Sequence, residues 1–291
     1  MATNFRFIPF DRQKNPGIDF DIFPIENFYQ VRGLDHNPEK PHRIEFYLIA
    51  IISAGTGKHT IDFKEYEYKP GALLTIRKDQ IHCFNIREAE GYFILFTEEF
   101  ILSYLENASA RKIPEIFNEL LYEQITELEP EKLRELLVIV NQIVREFNRE
   151  RDTHSSGIIR NFLQILVSKI HRIRKVSENE QDHKYIHQFL DFQQLIEQHC
   201  CRHRSVQYYA EALNISAKTL NNITGSVLNE SPKSLIDKVL ILQIKRMLIN
   251  STLSVKEIAY QSGFDEPTNL FKFFKRHTGH TPEAFRAEHA I

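Results

Sequence analysis

The sequence predicts a multidomain protein of mixed α and β class: an N-terminal β-barrel with following helices, then an all-α domain of two helix-turn-helix units joined by a linker helix. Three observations predict it. Short apolar runs broken by turn residues fill the first third of the chain. Helical periodicity takes over after about Thr97, and one stretch near the C-terminus repeats itself about fifty residues apart.

At 291 residues the chain is long enough for two or three domains, each with its own core. A hydrophobic fraction of 42% and a charged fraction of 26% are those of a globular protein, which excludes disordered and fibrous classes. The most apolar run, "FYLIAIISAG", is too short to span a bilayer, so no membrane partner is expected. The start, "MATNFRFIPFDRQ", lacks the basic and then apolar pattern of a secretory signal. Cys83, Cys200 and Cys201 form an odd, sparse set with two members adjacent, which suits a reducing compartment. A cytoplasmic location is expected. The net charge is −2; from Asp191 onward there are 12 Lys and Arg against 10 Asp and Glu, and before it 25 against 29. That asymmetry is too mild to predict a nucleic-acid partner by itself.

The N-terminal runs "RIEFYLIAIISAG", "KHTIDFKEYEY", "GALLTIR" and "IHCFNI" are rich in Ile, Phe and Tyr and are punctuated by Gly55, Gly57, "KPG" and "RKDQ". Short strands at such spacing predict a small barrel or sandwich over residues 1–97. From Glu98 to 176 the period becomes helical. "EKLRELLVIVNQIVREFNRE" places Leu133, Leu136, Leu137, Val140, Ile143, Val144 and Phe147 on one face, and "GIIRNFLQILVSKIHRI" does the same after the turn signal "RDTHSSG". Such a hairpin packs within its own domain or serves as a dimer contact. The polar, aperiodic stretch "KVSENEQDHK" predicts a linker over 177–184, leaving 185–291 as the helical domain.

The repeat is the most informative feature. With an offset of 50, Ser231-Pro232 falls on Thr281-Pro282, Leu235 on Phe285, Asn222 on Lys272 and Asn229 on Gly279. Asn and Gly enter the left-handed conformation that ends helices, and Ser or Thr before Pro starts them. Each copy therefore stops one helix and starts the next alike. In the second copy Ser254 and Glu257 form a capping box, Gly263 permits a tight turn, and Asp265 is expected to cap the next helix. In the first, Asn214 marks the turn and Ser216 the cap. This is the helix-turn-helix pattern, whose second helix fits a DNA major groove.

The second helices carry two-sided patterns. On "TNLFKFFKR", Leu270, Phe271, Phe273 and Phe274 share one arc, while Thr268, Asn269, Lys272, Lys275 and Arg276 cover the other. On "KTLNNITGSV", Leu220, Ile223 and Val227 face inward, and Lys218, Asn221, Asn222 and Gly225 face outward. A solvated face accounts for one such helix. Two copies with matching caps favour DNA recognition, since Asn pairs with adenine, Lys donates to guanine and Thr meets a thymine methyl. The intervening "SPKSLIDKVLILQIKRMLIN" predicts a strut about 27 Å long between the two.

The stretches "VQYYAEALNIS", "SPKSLI", "SVKEIAYQSGF" and "FFKRHTGHTPEAFR" resemble, in order and spacing, the DNA-binding domain of AraC-type bacterial transcription regulators, from about Phe189 to Arg286. The resemblance implies a sequence-specific regulator of transcription rather than an enzyme. Its partners would be double-stranded DNA, an unidentified small-molecule effector, a second copy of the chain and RNA polymerase. It places Lys218, Asn221 and Asn222, then Thr268, Asn269 and Lys272, at base-contacting positions. Lys275 and Arg276 are the expected phosphate contacts. The family often has Arg where Asn222 stands, which implies an adenine contact or a weaker first half-site.

The N-terminal strands resemble the cupin-type sensor domain that such regulators often carry. "GALLTIRKDQIHCFN" is similar to the second cupin motif through Gly71, His82 and Asn85; the first motif keeps His42 but has Ile44 and Leu48 where a His and a Glu would sit. Two separated His residues are too few for a divalent metal, so neither a metal nor a cofactor is expected. A metal-dependent cupin enzyme with a DNA-binding appendage is the alternative reading. His42, Tyr47 and His82 are the candidate effector-binding residues. "HCCRH" (His199 to His203) has zinc-ligand chemistry without the usual separated pairs, and is expected to end a helix beginning near Tyr185.

Overall fold

Strand Tyr47–Ala54 is buried along nearly its whole length because both of its faces meet apolar layers. Tyr47, Ile49 and Ile51 belong to one core, and Leu48, Ala50 and Ile52 to another. That two-sided burial organises the N-terminal part of the protein. The computed structural model describes residues 6–12, 18–30, 39–85, 89–102, 112–174 and 180–289. The chain divides into two compact units, Arg6–Val176 and Ser177–Ile291 (the latter grouped with Met1–Phe5).

In the first unit the strands are β1 (Arg6–Ile8), β2 (Phe20–Pro24), β3 (His42–Ile44), β4 (Tyr47–Ala54), β5 (Gly57–Ile61), β6 (Lys64–Tyr68), β7 (Ala72–Ile76), β8 (Ile81–Asn85), β9 (Glu90–Phe96) and β10 (Ile125–Glu127). Among the described residues they form two five-stranded sheets, ordered β1-β3-β8-β5-β6 and β10-β7-β4-β9-β2. Ile44, Ile61 and Phe84 of the first sheet meet Leu48, Leu74 and Phe93 of the second in an inner core. The second sheet's other face carries Phe20, Ile49, Leu73, Ile94 and Phe96. Covering it are helices α1 (Glu98–Leu102), α2 (Lys112–Ile116), α3 (Pro130–Asn148) and α4 (Ser155–Arg174), through Leu136, Val140, Ile143, Leu163, Leu166 and Ile170. Helix periodicity and strand parity thus produce one shared layer.

Two details differ from the sequence expectation. The barrel does not close at Thr97, because β10 pairs antiparallel with β7 as an edge strand; three residues are too few to show alternation. The expected linker at 177–184 lies outside the described residues up to 179, and from Glu180 the chain is already helical. Polarity alone cannot distinguish a linker from the solvent-facing first turns of a helix.

The second unit is all helix: α5 (Glu180–His199), α6 (Val206–Ala212), α7 (Ala217–Leu228), α8 (Pro232–Asn250), α9 (Val255–Gln261), α10 (Pro267–Thr278) and α11 (Pro282–His289). Helix α8 buries Leu235, Ile236, Leu240, Ile244 and Leu248 and touches α5, α7, α9 and α11. Its 19 residues span about 28 Å. Arg286 of α11 donates to the carbonyls of Leu248 and Leu253 at 2.8 and 2.7 Å, the first in the last turn of α8 and the second in the loop that follows it.

Candidate nucleic-acid interface and barrel interior

The two copies share the bonds of their turns, the left-handed residues that end their second helices and the hydroxyl caps that follow. In the first turn Asn214 N–H donates to Glu211 O at 3.0 Å and Ile215 N–H to Ala210 O at 2.9 Å. In the second, Gly263 N–H donates to Tyr260 O at 3.0 Å and Phe264 N–H to Ala259 O at 2.9 Å. Helix α7 ends at Asn229 with φ 55°, and α10 at Gly279 with φ 79°. Ser231 Oγ then accepts from Ser234 N–H, and Thr281 Oγ1 from Ala284 N–H, both at 3.2 Å. The Ser254–Glu257 capping box is present, and Ser216 Oγ accepts from Thr219 N–H. One cap is corrected. Helix α10 starts after Glu266 rather than Asp265, with no side-chain cap, because Pro267 at the first helical position has no N–H to satisfy.

These signals fix which faces of α7 and α10 look outward. Leu220 and Ile223 are fully buried, as are Leu270 and Phe274, while Phe271, Phe273 and Val227 are partly covered. Lys218, Asn221 and Asn222 on α7 are exposed, as are Thr268, Asn269, Lys272, Lys275 and Arg276 on α10. Asn221 Nδ2 donates back to Ala217 O at 2.9 Å, so this amide must leave its own helix before it can reach a base. The Arg276 guanidinium lies 3.2 Å from His277 Nε2 and 5.8 Å from the Phe273 ring centre.

The fold adds a cation that the motifs do not contain. Arg204, in the loop before α6, lies 3.8 Å over the Phe264 ring and donates to Ser262 O at the end of α9. With Asn269, Lys272 and Arg276 it lines a cleft of about 400 Å³, where Asp265 supplies the opposing charge. Nothing near Arg204 in sequence signals this role, since its partners lie some sixty residues later.

The N-terminal candidates separate. His42 stands directly opposite His82 in the β3–β8 register, with ring centres 4.3 Å apart, and both are buried on the inner face. The structure adds His59 of β5, whose ring centre lies 5.5 Å from that of His82 and 4.2 Å from that of Phe84. Both His59 ring nitrogens are buried without a hydrogen-bond partner. Burial, followed by the nearby His42, lowers the His59 pKa to about 3, so the ring is neutral. His42 Nδ1 lies 3.0 Å from Lys40 O, so a hydrogen bond there requires the proton on Nδ1. Tyr47 does not join them. It faces the helical layer, stacked on Phe96 at 5.6 Å and edge-on to Phe117 at 4.8 Å, because its parity on β4 is the outer one. The side chain of Asn85 lies outside those described. Among the described residues, no group of three or more His, Cys, Asp or Glu is placed to hold a metal ion.

Comparison with known proteins decides the relationship. A helix-turn-helix domain family model matches residues 209–288, and an AraC-like ligand binding domain model matches residues 28–163. The chain belongs to the AraC family of transcription regulators. This AraC-family regulator is 22% identical over 254 residues to the HTH-type transcriptional activator RhaS of Enterobacter sp. (strain 638), covering 84% of this chain and 86% of that protein. RhaS of Shigella dysenteriae is also 22% identical, over 288 residues that cover 93% and 96% of the two chains. Among solved structures, ToxT from Vibrio cholerae matches with a TM-score of 0.42 and 13% identity over 93% of this chain and 98% of that one. The AraC-family regulator is a DNA-binding transcription regulator with a β-rich N-terminal unit and a helical C-terminal one. Among its described residues no helix is long and apolar enough to cross a membrane.

Proposed function

We propose that the protein reads two successive stretches of DNA, one through α7 and one through α10. The repetition of the two turns, of the left-handed helix ends at Asn229 and Gly279 and of the Ser231 and Thr281 caps carries this reading. Structural redundancy alone would not require both exposed faces to carry amides and cations, as α7 does with Lys218, Asn221 and Asn222 and α10 with Asn269 and Lys272. Lys218, Asn221 and Asn222 contact bases from α7. Thr268, Asn269 and Lys272 contact bases from α10, with Lys275, Arg276 and the added Arg204 on phosphates. Selecting binding sites from random duplex DNA with the full chain tests the proposal. Two preferred clusters about 10 base pairs apart are expected, one per major-groove face; a single cluster would reduce the second copy to a structural repeat.

An effector held in the N-terminal unit controls this binding. Support comes from the AraC-like ligand binding domain match and from His42, His59 and His82 gathered on the inner face. The effector is a small molecule whose polar group accepts or donates at the imidazoles. Thermal-shift screening of metabolites tests it, because a ligand that prefers the folded state raises the melting temperature. The protein acts in the cytoplasm as a homodimer. Val138 on α3 and Ile165 on α4 remain 62% and 47% exposed, an apolar pair that a second copy would cover. The activator function named for the RhaS relatives supports RNA polymerase as a further partner.

A further inference from the structure

The last turn of α5 is followed by two adjacent cysteines. Cys200 is fully buried and Cys201 partly open, and both are free thiols. Their Sγ–H groups donate to one acceptor, Gln243 Oε1 on α8, at 3.2 Å each. Gln243 Nε2 donates in turn to Glu197 O at 2.7 Å. Three bonds therefore latch the end of α5 to the middle of the strut helix. The same short segment also supports the second helix-turn-helix unit. A Cβ on Gly263 would lie 1.8 Å from Cys201 O, and Arg204 holds Ser262 O.

Adjacent residues have Cα atoms 3.8 Å apart, below the span of about 4.4–6.8 Å that disulfides use, so these thiols are poorly placed to bond to each other. Two sulfurs that meet at one oxygen atom do suit a soft centre that takes both at once. We propose that Cys200 and Cys201 form a dithiol site for trivalent arsenicals, and that occupying it weakens DNA binding by opening the latch on Gln243. The reaction balances without redox change. Both S–H bonds break and two As–S bonds form, and the oxygen of R–As=O leaves as water with the two protons. Contact with the Cys200 thiol, aided by Arg204, lowers the pKa of Cys201, and this thiol is the one open to solvent and the first to react.

The DNA effect rests on the DNA reading above; occupancy of the site does not. Titrating the full chain with phenylarsine oxide should add one phenylarsenic group per chain by intact mass and protect two of the three thiols. Cys83→Ser should keep this uptake, and Cys200→Ser or Cys201→Ser should lose it. A dithiol, 2,3-dimercaptopropanol, should reverse it where the same thiol concentration of 2-mercaptoethanol does not. Loaded protein should bind duplex DNA at least ten-fold more weakly, with Cys201→Ser unaffected by the reagent. Uptake that persists in a folded Cys201→Ser variant, checked by circular dichroism, or that protects Cys83, overturns the site. Normal DNA affinity of fully loaded protein overturns the coupling. Protein that takes up the arsenical but binds no duplex even unloaded overturns the DNA reading, and the coupling with it.

Discussion

Asn214 and Gly263 hold the same place in the two turns, with φ of 55° and 73°, and Gly263 is pressed against the backbone of Cys201. Asn214 is exposed. A side chain on Gly263 would collide with the carbonyl of Cys201. Asn214→Gly is therefore expected to change stability by no more than about 0.5 kcal/mol, whereas Gly263→Asn costs at least about 2 kcal/mol, although Asn tolerates the conformation itself. Urea unfolding followed by far-ultraviolet circular dichroism compares them. Equal effects would mean that the turn, and not the close approach, sets the requirement.

Asn222 and Lys272 are equivalent and exposed on α7 and α10. Asn222→Ala should relax base preference in one cluster of positions, and Lys272→Ala in another about 10 base pairs away, each by about 1–3 kcal/mol. The two should combine nearly additively. Site selection with each variant reads this out. Overlapping clusters would contradict the assignment of one groove to each helix.

Lys275 and Arg276 are exposed at the end of α10. If each neutralises a phosphate, replacing either by Ala weakens binding to all sequences alike and lowers the slope of log affinity against log salt by about 0.9. Affinity measured from low to moderate salt gives that slope. A variant with the parent's slope does not touch a phosphate.

His59 links the fold of the first unit to pH. Its pKa is held at about 3 by burial and then by His42, below the unfolded value of about 6.5. The unfolded chain therefore takes up the proton first as pH falls. The stability contribution is complete above about pH 7 and declines below about pH 6.5. About 2 kcal/mol is lost by pH 5. His59→Leu should remove that part of the dependence between pH 7.5 and 5. Parallel pH profiles for the two proteins would mean that the ring gains a proton without unfolding.

The C-terminal unit was legible because caps and turns are local chemistry: Ser216, Ser231, Asn229 and Gly279 act within a few residues of themselves. The cores were legible where helices alternate in period, as at Leu136, Val140 and Ile143. Tyr47 was misplaced because β4 is apolar on both faces, and a strand without alternation does not show which residues face which layer. His59 did carry a signal. Lys58 is exposed and Thr60 only partly covered, while His59 and Ile61 are buried, a period of two that sets the imidazole inward. Arg204 carried none, since long-range packing alone brings it to Phe264.

The shared layer between the second sheet and helices α3 and α4 sets where the chain can be cut. A fragment ending at Thr97 would leave Phe20, Ile49, Ile51, Ile94 and Phe96 uncovered on the sheet and would lose β10 from its edge. Such a fragment would be insoluble or would pair through its bared surface. The core cluster reaches as far as Ile173, so a boundary after Arg174 keeps that layer whole. Exchange of sensor units between regulators of this kind would have to carry the helical hairpin along with the strands, because the two are a single folding unit despite their different secondary structure.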